Sequence, residues 1–281
     1  MLRTRCSGKI GEMRFFAAGR LVLVTGLLLS ASSCGRSASM TVQPDTSSAA
    51  AVTTSAAPVA AQPVPPDPRV GAVFLGSGSL HTCTGAVLDS AGGDLILTAA
   101  HCLSEGVDTT FVAGFNNDAA PEDVWHIDAV YLDPRWVQNQ DPLADFAIAR
   151  VSRDGGGTLE GQAGGGLTLG PAPRPGTTVT VTGYAMGAGG GPIGCRTATA
   201  PATKGFPSLP CAELIDGLSG APWVTGSNVI GLIGGLNGGG CDNDSLSYSP
   251  PFGDAITGLL ARAEAGGPAD DAPSSFADDC D

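Results

Sequence analysis

The chain has 281 residues, 42 of them glycine and 21 proline, with 27 acidic against 14 basic side chains and a formal charge of −13. That acidic balance excludes a nucleic-acid binder, which needs a basic stripe to displace counterions from phosphate, and the glycine and proline exclude a coiled coil. With 5% aromatic and 15% charged residues, what remains is a glycine-rich, mostly β chain of one or two compact domains.

Arg3, Arg5, Lys9, Arg14 and Arg20 precede the apolar run Leu21–Leu29, and small residues follow as far as Cys34. A basic start, a short apolar centre and a small-residue exit describe an export signal over residues 1–34, and the run is shorter than the roughly 20 residues of a span. Translation can start at Met1 or at Met13, since Met13–Cys34 forms a complete signal by itself. Cys34–Gly35 resembles a bacterial lipoprotein cleavage site, where the cysteine carries a lipid anchor. Ala31 stands where such sites usually have leucine, and ordinary cleavage near Ala31–Ser39 is the other reading. Removing residues 1–34 takes away five basic groups and one acidic group, and leaves a net charge of −17.

Residues 35–68 are Ser, Thr, Ala, Pro and Gln with almost no large apolar side chain, and are expected to form a flexible tether. From Arg69 the texture changes to short apolar runs divided by Gly and Asp, so one domain is expected over 69–266, followed by an acidic tail over 267–281. Strands are expected at Val70–Leu75, Thr84–Leu88, Leu95–Thr98, Thr110–Ala113, Trp125–Leu132, Phe146–Val151, Thr177–Thr182, Ala221–Val224 and Val229–Ile233. All are rich in β-branched or aromatic residues and bounded by turn formers. Only Asp254–Ala265 has helical spacing, with Asp254 as expected N-cap and Gly266 as stop. Six cysteines follow the signal, enough for three bridges in an oxidising compartment. No CxxC occurs and only His101 adjoins a cysteine, so no metal is expected.

Three strings carry the chemistry. LILTAAHC, Leu95–Cys102, delivers His101 from the end of an apolar strand through two small alanines. ADFAIARV, Ala144–Val151, opens a strand with Asp145. A carboxylate entering a core there needs a partner, which a histidine N–H supplies. DGLSGAPW, Asp216–Trp223, sets Ser219 beside glycines, and Gly217 lets its own N–H and that of Ser219 converge as an oxyanion hole requires. Each string alone has an ordinary structural explanation. Together they give the order His101, Asp145, Ser219, one of the known chain orders of a catalytic triad.

On these motifs the chain resembles the trypsin/chymotrypsin-like serine peptidases, most closely secreted actinobacterial members. TAAHC is similar to the family's histidine motif and GLSGAP to its GDSGGP serine motif, and the likeness runs from about Arg69 to Ala265. The resemblance implies two six-stranded antiparallel β-barrels with a C-terminal helix, an all-β fold. It also implies His101 as general base, Asp145 as orienting acid and Ser219 as nucleophile, with Gly217 and Ser219 as oxyanion donors and Cys83–Cys102 clamping the histidine loop. No cofactor is needed. Glu213 falls near the base of the family's primary pocket, and an acid there would favour Arg or Lys in a substrate, although Cys211 is not at the family's usual distance from the serine. Gly234, Gly235 and Leu236 fall where family members pair with substrate backbone.

Two departures stand out. Leu218 replaces the aspartate that in animal enzymes pairs with a newly cut N-terminal amine, so the oxyanion hole is expected to form without N-terminal processing. Ala221 replaces a glycine. For the other cysteines the favoured pairing is Cys195–Cys211 with Cys241–Cys280, and the rival is Cys211–Cys241 with Cys195–Cys280. His81 is expected to be structural, and His126 packed or at the surface. The function expected is a secreted serine endopeptidase acting on protein or peptide substrates, a monomer, free outside the cytoplasm or anchored at Cys34. The alternative is a catalytically silent binding module of the same fold.

Overall fold

Short β-branched runs separated by turn formers cannot bury a face alone, and they do so here by closing on one another. The computed structural model describes residues 59–274. The expected signal 1–34, the lipidation candidate Cys34, the first part of the tether and Cys280 lie outside them.

The first barrel consists of β1 (Val70–Leu75), β2 (Leu80–Val87), β3 (Leu95–Thr98), β4 (Thr109–Ala113), β5 (Val124–Leu132) and β6 (Ala147–Ser152). Its antiparallel order is β2-β1-β4-β5-β6-β3, and β3 pairs back onto β2 to close the ring. Val87, Leu95, Leu97, Phe111, Phe146 and Ile148 of these strands and their flanks belong to one buried core. Each such side chain contributes roughly 1.5–3 kcal/mol on full burial.

The second six-stranded sheet is built on β7 (Thr178–Gly183), β8 (Ile193–Ala198), β11 (Pro222–Thr225) and β12 (Asn228–Leu232), with Gln62–Pro63 at one edge and Thr168–Leu169 at the other. Between them in sequence, β9 (Ala200–Thr203) and β10 (Phe206–Leu209) pair with each other, and β10 with Ser247–Tyr248. Val179, Val181, Leu209, Leu218 and Trp223 form its core. The mostly β architecture and the closed first barrel agree with the expectation; the second sheet, called the second barrel below, shows no closing pair among the described residues, and its edge Thr168–Leu169 joins β12 in parallel.

The C-terminal helix α3 (Asp254–Glu264) is also present. It buries Ile256, Leu259 and Ala263, one stripe at helical spacing, against the first barrel. Its N-cap is Gly253, not Asp254, which sits in the first turn, where its charge favours the helix dipole. Two short helices were not foreseen. In α1 (Pro134–Asn139) Asp133 caps the Arg135 N–H, Pro134 opens the helix and Trp136 is buried. In α2 (Leu159–Ala163) Thr158 is the cap. Both are too short to show periodicity.

Two boundaries move. Val59–Pro63, expected inside the tether, pairs with the second barrel. The start of the expected tail is also docked: the Asp270 N–H donates to Val130 O, its carboxylate accepts from Leu132 N and binds Arg262, and Ala272 is buried.

Candidate active site

After β3 the chain makes one tight turn, Ala100–Cys102, that carries His101. Ala99 and Ala100 are fully buried, so the turn stands on close-packed backbone and the imidazole is left 11% exposed. Asp145 ends the neighbouring turn Pro142–Ala144, just before β6, and is buried. β3 and β6 pair antiparallel, with Thr98 opposite Ala147, which brings the two turns side by side.

The Asp145 carboxylate accepts three hydrogen bonds. His101 N donates to Oδ1 at 3.0 Å, His101 Nδ1 lies 2.8 Å from Oδ2, and Gly235 N donates to Oδ2 at 2.7 Å. Burial alone pushes this carboxyl's pKa up, but the facing imidazole and these donors outweigh it and hold the pKa below the ordinary carboxylate value. An ionised Asp145 accepts a proton-bearing Nδ1, which leaves Nε2 as the basic nitrogen. Gly235 was not foreseen as a partner of Asp145.

Ser219 sits in the loop before β11. Gly217 adopts φ +93°, and a Cβ there would lie 2.1 Å from Met186 N, so both conformation and space demand glycine. The loop is tied down by Met186 N to Asp216 O (2.7 Å), Thr84 Oγ1 to Gly217 O (3.0 Å) and Thr84 N to Ser219 O (2.8 Å). The N–H groups of Gly217 and Ser219 have no acceptor among the described residues. Leu218, in place of the family's aspartate, is fully buried with Val181, Ala221 and Trp223. Thr84, from the first barrel, is a buried tie to this loop that its place in an apolar strand concealed.

His101 and Ser219 line one cleft of about 530 Å³ with Leu75, Met186, Asp216 and Gly217. A second hollow of about 310 Å³ shares Ser219 and is walled by Glu213–Asp216, Ile233, Gly238–Cys241 and Asp244. Glu213 therefore does line a cavity beside the serine. Asp244 joins it there, held through Glu213 N to Asp244 O at 3.0 Å. Its position 25 residues beyond the serine gave no sequence signal.

The segment expected to pair with substrate differs from an extended strand. β12 stops at Leu232, Gly235 has φ +82°, and Leu236–Gly239 is a tight turn. Gly234 N donates to Tyr248 O and Gly235 N to Asp145, so both N–H groups are used internally. Of the three expected residues, Leu236 is the one whose N–H has no acceptor among the described residues.

Cys83–Cys102 and Cys195–Cys211 are bridged. Cys241 is also disulfide-bonded; Cys280, its expected partner, is outside the described residues. The grouping of Cys83, Cys102 and His101 within ligating reach of one another is the first bridge beside the histidine, not a thiolate site. His81 is buried against Phe74, Phe115 and Tyr184, with Nε2 2.9 Å from Gly189 O. His126 is half exposed, on β5 near Asp108.

A family model described as a trypsin-like peptidase domain matches residues 83–232. No curated protein matches by sequence. Among solved structures, the protease Anisep from Arthrobacter nicotinovorans is similar at 24% identity and a TM-score of 0.63, covering 73% of this chain and 99% of that one. A thermostable serine protease, AL20, from an extremophilic microorganism gives 21% identity and a TM-score of 0.59, covering 71% and 98%. A Glu endopeptidase gives 15% and 0.58, covering 74% and 97%.

Proposed function

The chain belongs to the trypsin-like peptidase family, and from that premise we propose that it is a secreted serine endopeptidase working through an acyl-enzyme. The observation that carries the reading is the buried, three-fold hydrogen-bonded Asp145 facing His101 on a cleft that Ser219 also lines.

His101 Nε2 takes the Ser219 proton as the hydroxyl attacks the peptide carbonyl. Asp145 fixes the imidazole tautomer and stabilises the imidazolium without itself taking up the proton. The Gly217 and Ser219 N–H groups hold the oxyanion. The imidazolium then gives its proton to the leaving amine, and water repeats the sequence to release the acid and regenerate Ser219. The acyl residue's side chain enters the smaller hollow, where Glu213 and Asp244 favour a cationic arginine or lysine. The disulfides support a site of action outside the cytoplasm. The leader over residues 1–34, the tether and an anchor at Cys34 belong to the same reading.

A fluorophosphonate probe tests it. The oxidised protein is expected to be labelled and Ser219→Ala not. A folded wild type that resists the probe would instead leave the silent binding module as the reading. Cleavage of a peptide library by the oxidised wild type, not exposed to the probe, is expected after Arg and Lys, and Glu213→Gln is expected to lower kcat/KM for those substrates about tenfold or more.

A further inference from the structure

Resting on the peptidase reading, we infer that Val59–Pro63 is a positioning strap for the wall of the primary pocket. The wall, Glu213–Asp216, follows directly on Cys211–Ala212. Glu213, Ile215 and Asp216 are exposed and Glu213 has φ +62°, so little packing of their own fixes them. Leu218 removes the carboxylate that could anchor the loop ionically.

Backbone bonds hold the wall at Glu213 and Asp216, and a further anchor comes from the upstream end. Val59 pairs in parallel with Cys211 and Ala60 with Ala212, and Ala61 N donates to Ala212 O at 2.8 Å. The same segment continues onto β8: Gln62 pairs with Gly194, Pro63 with Ile193, and Val64 N donates to Pro192 O at 3.0 Å. It therefore crosses both strands joined by Cys195–Cys211. Ala61, 5% exposed, packs in the core with Cys195, Cys211 and Leu218. One small buried residue thus links the strap, the disulfide and the residue before the nucleophile. A chain that entered the domain at Arg69 would leave Ala212 O without that donor and the edge of β8 open.

The test uses the full chain. Ala61→Pro removes the N–H to Ala212, and Ala61→Gly keeps it. Ala61→Pro is expected to raise KM for a peptide substrate about 5- to 10-fold with kcat changed less than about twofold, while Ala61→Gly stays near wild type. A folded, disulfide-complete Ala61→Pro with wild-type KM overturns the strap, as does an equal loss in both variants. Hydrogen exchange on the wild type decides the matter even if the proline variant does not fold. The Ala61 and Ala212 amides should exchange far more slowly than in a free peptide, and both should slow further in the Ser219 fluorophosphonate adduct. Free-peptide exchange at Ala61, or no change there in the adduct, overturns the inference. Absence of any adduct on wild type overturns the peptidase reading itself, a distinct result.

Discussion

Asp145 is where sequence, packing and chemistry meet at the scale of one residue. A buried carboxylate is tolerable only when paired and fully hydrogen-bonded, and here a histidine and two backbone donors meet that need. Asp145→Asn keeps the shape but favours the wrong imidazole tautomer, and kcat is expected to fall about 10⁴-fold in a peptide assay. Loss of less than tenfold would deny Asp145 its orienting role. The glycines make similar predictions. A Cβ at Gly234 would lie 2.9 Å from Asp145 Oδ2, so Gly234→Ala should displace the carboxylate and lower kcat about 10²-fold, with KM nearly constant. Gly217→Ala must shift the loop against Met186 N, and should cost about 10²–10³-fold in kcat through the oxyanion donor. Either alanine variant with full kcat would show that the loop adapts freely.

Among the elements, the short turn that presents His101 depends on what holds it. Cys102 in that turn is bridged to Cys83 on β2, and the bridge closes a loop with a sequence separation of 19. In the chain-entropy account a bridge over such a loop contributes about 3 kcal/mol. The Cys83→Ser/Cys102→Ser pair is expected to lower the unfolding free energy measured in urea by about that amount, with a lower midpoint, and an unchanged midpoint would contradict it. Helix α3 packs on the first barrel. Leu259 is buried in the same core as Leu95 and Ile148, so Leu259→Ala should destabilise by about 2–5 kcal/mol while leaving KM unchanged. The short elements escaped the sequence reading for one reason. β8, β9 and β10 are rich in Gly, Thr, Ala and Pro, and they hold as strands because neighbouring backbone satisfies them, not because their side chains alternate.

For the whole molecule the net charge of −13 concerns solubility, not fold, and pH acts through particular carboxylates. Asp67, Asp133 and Asp270 join Asp145 in being held below the ordinary value. Burial pushes Asp67 and Asp270 up, but Arg69 and Arg262 override it; for Asp133 the Arg135 hydrogen bond leads. Each has a lower pKa folded than unfolded, so the unfolded chain binds more protons as pH falls below the unfolded value of 3.8. Their stabilisation is complete above that value and is lost as pH drops through the folded ones. The three partly exposed pairs contribute little, and Asp145 is the fully buried member of the set. The melting temperature is expected to be nearly flat from about pH 5 to 7 and to fall steeply below about pH 4. Asp145→Asn should flatten that acid limb, and an unaltered limb would place the source elsewhere.

Local signals settled a good deal without coordinates. The nine strand runs, the terminal helix and the order His101, Asp145, Ser219 are properties of short stretches, because a turn former or an apolar run acts over a few residues. Leu218 in place of a carboxylate was equally plain. Tertiary structure decided everything that depends on distant partners: Gly235 on Asp145, Thr84 beneath the nucleophile loop, Asp244 beside Glu213, and the turn at Leu236 where an extended strand was expected. It also drew Val59–Pro63 out of a low-complexity stretch onto the second barrel. Composition reports whether a segment can fold alone, and a lone edge strand cannot. Whether a waiting edge exists to receive it is fixed only when residues 150 positions apart come together.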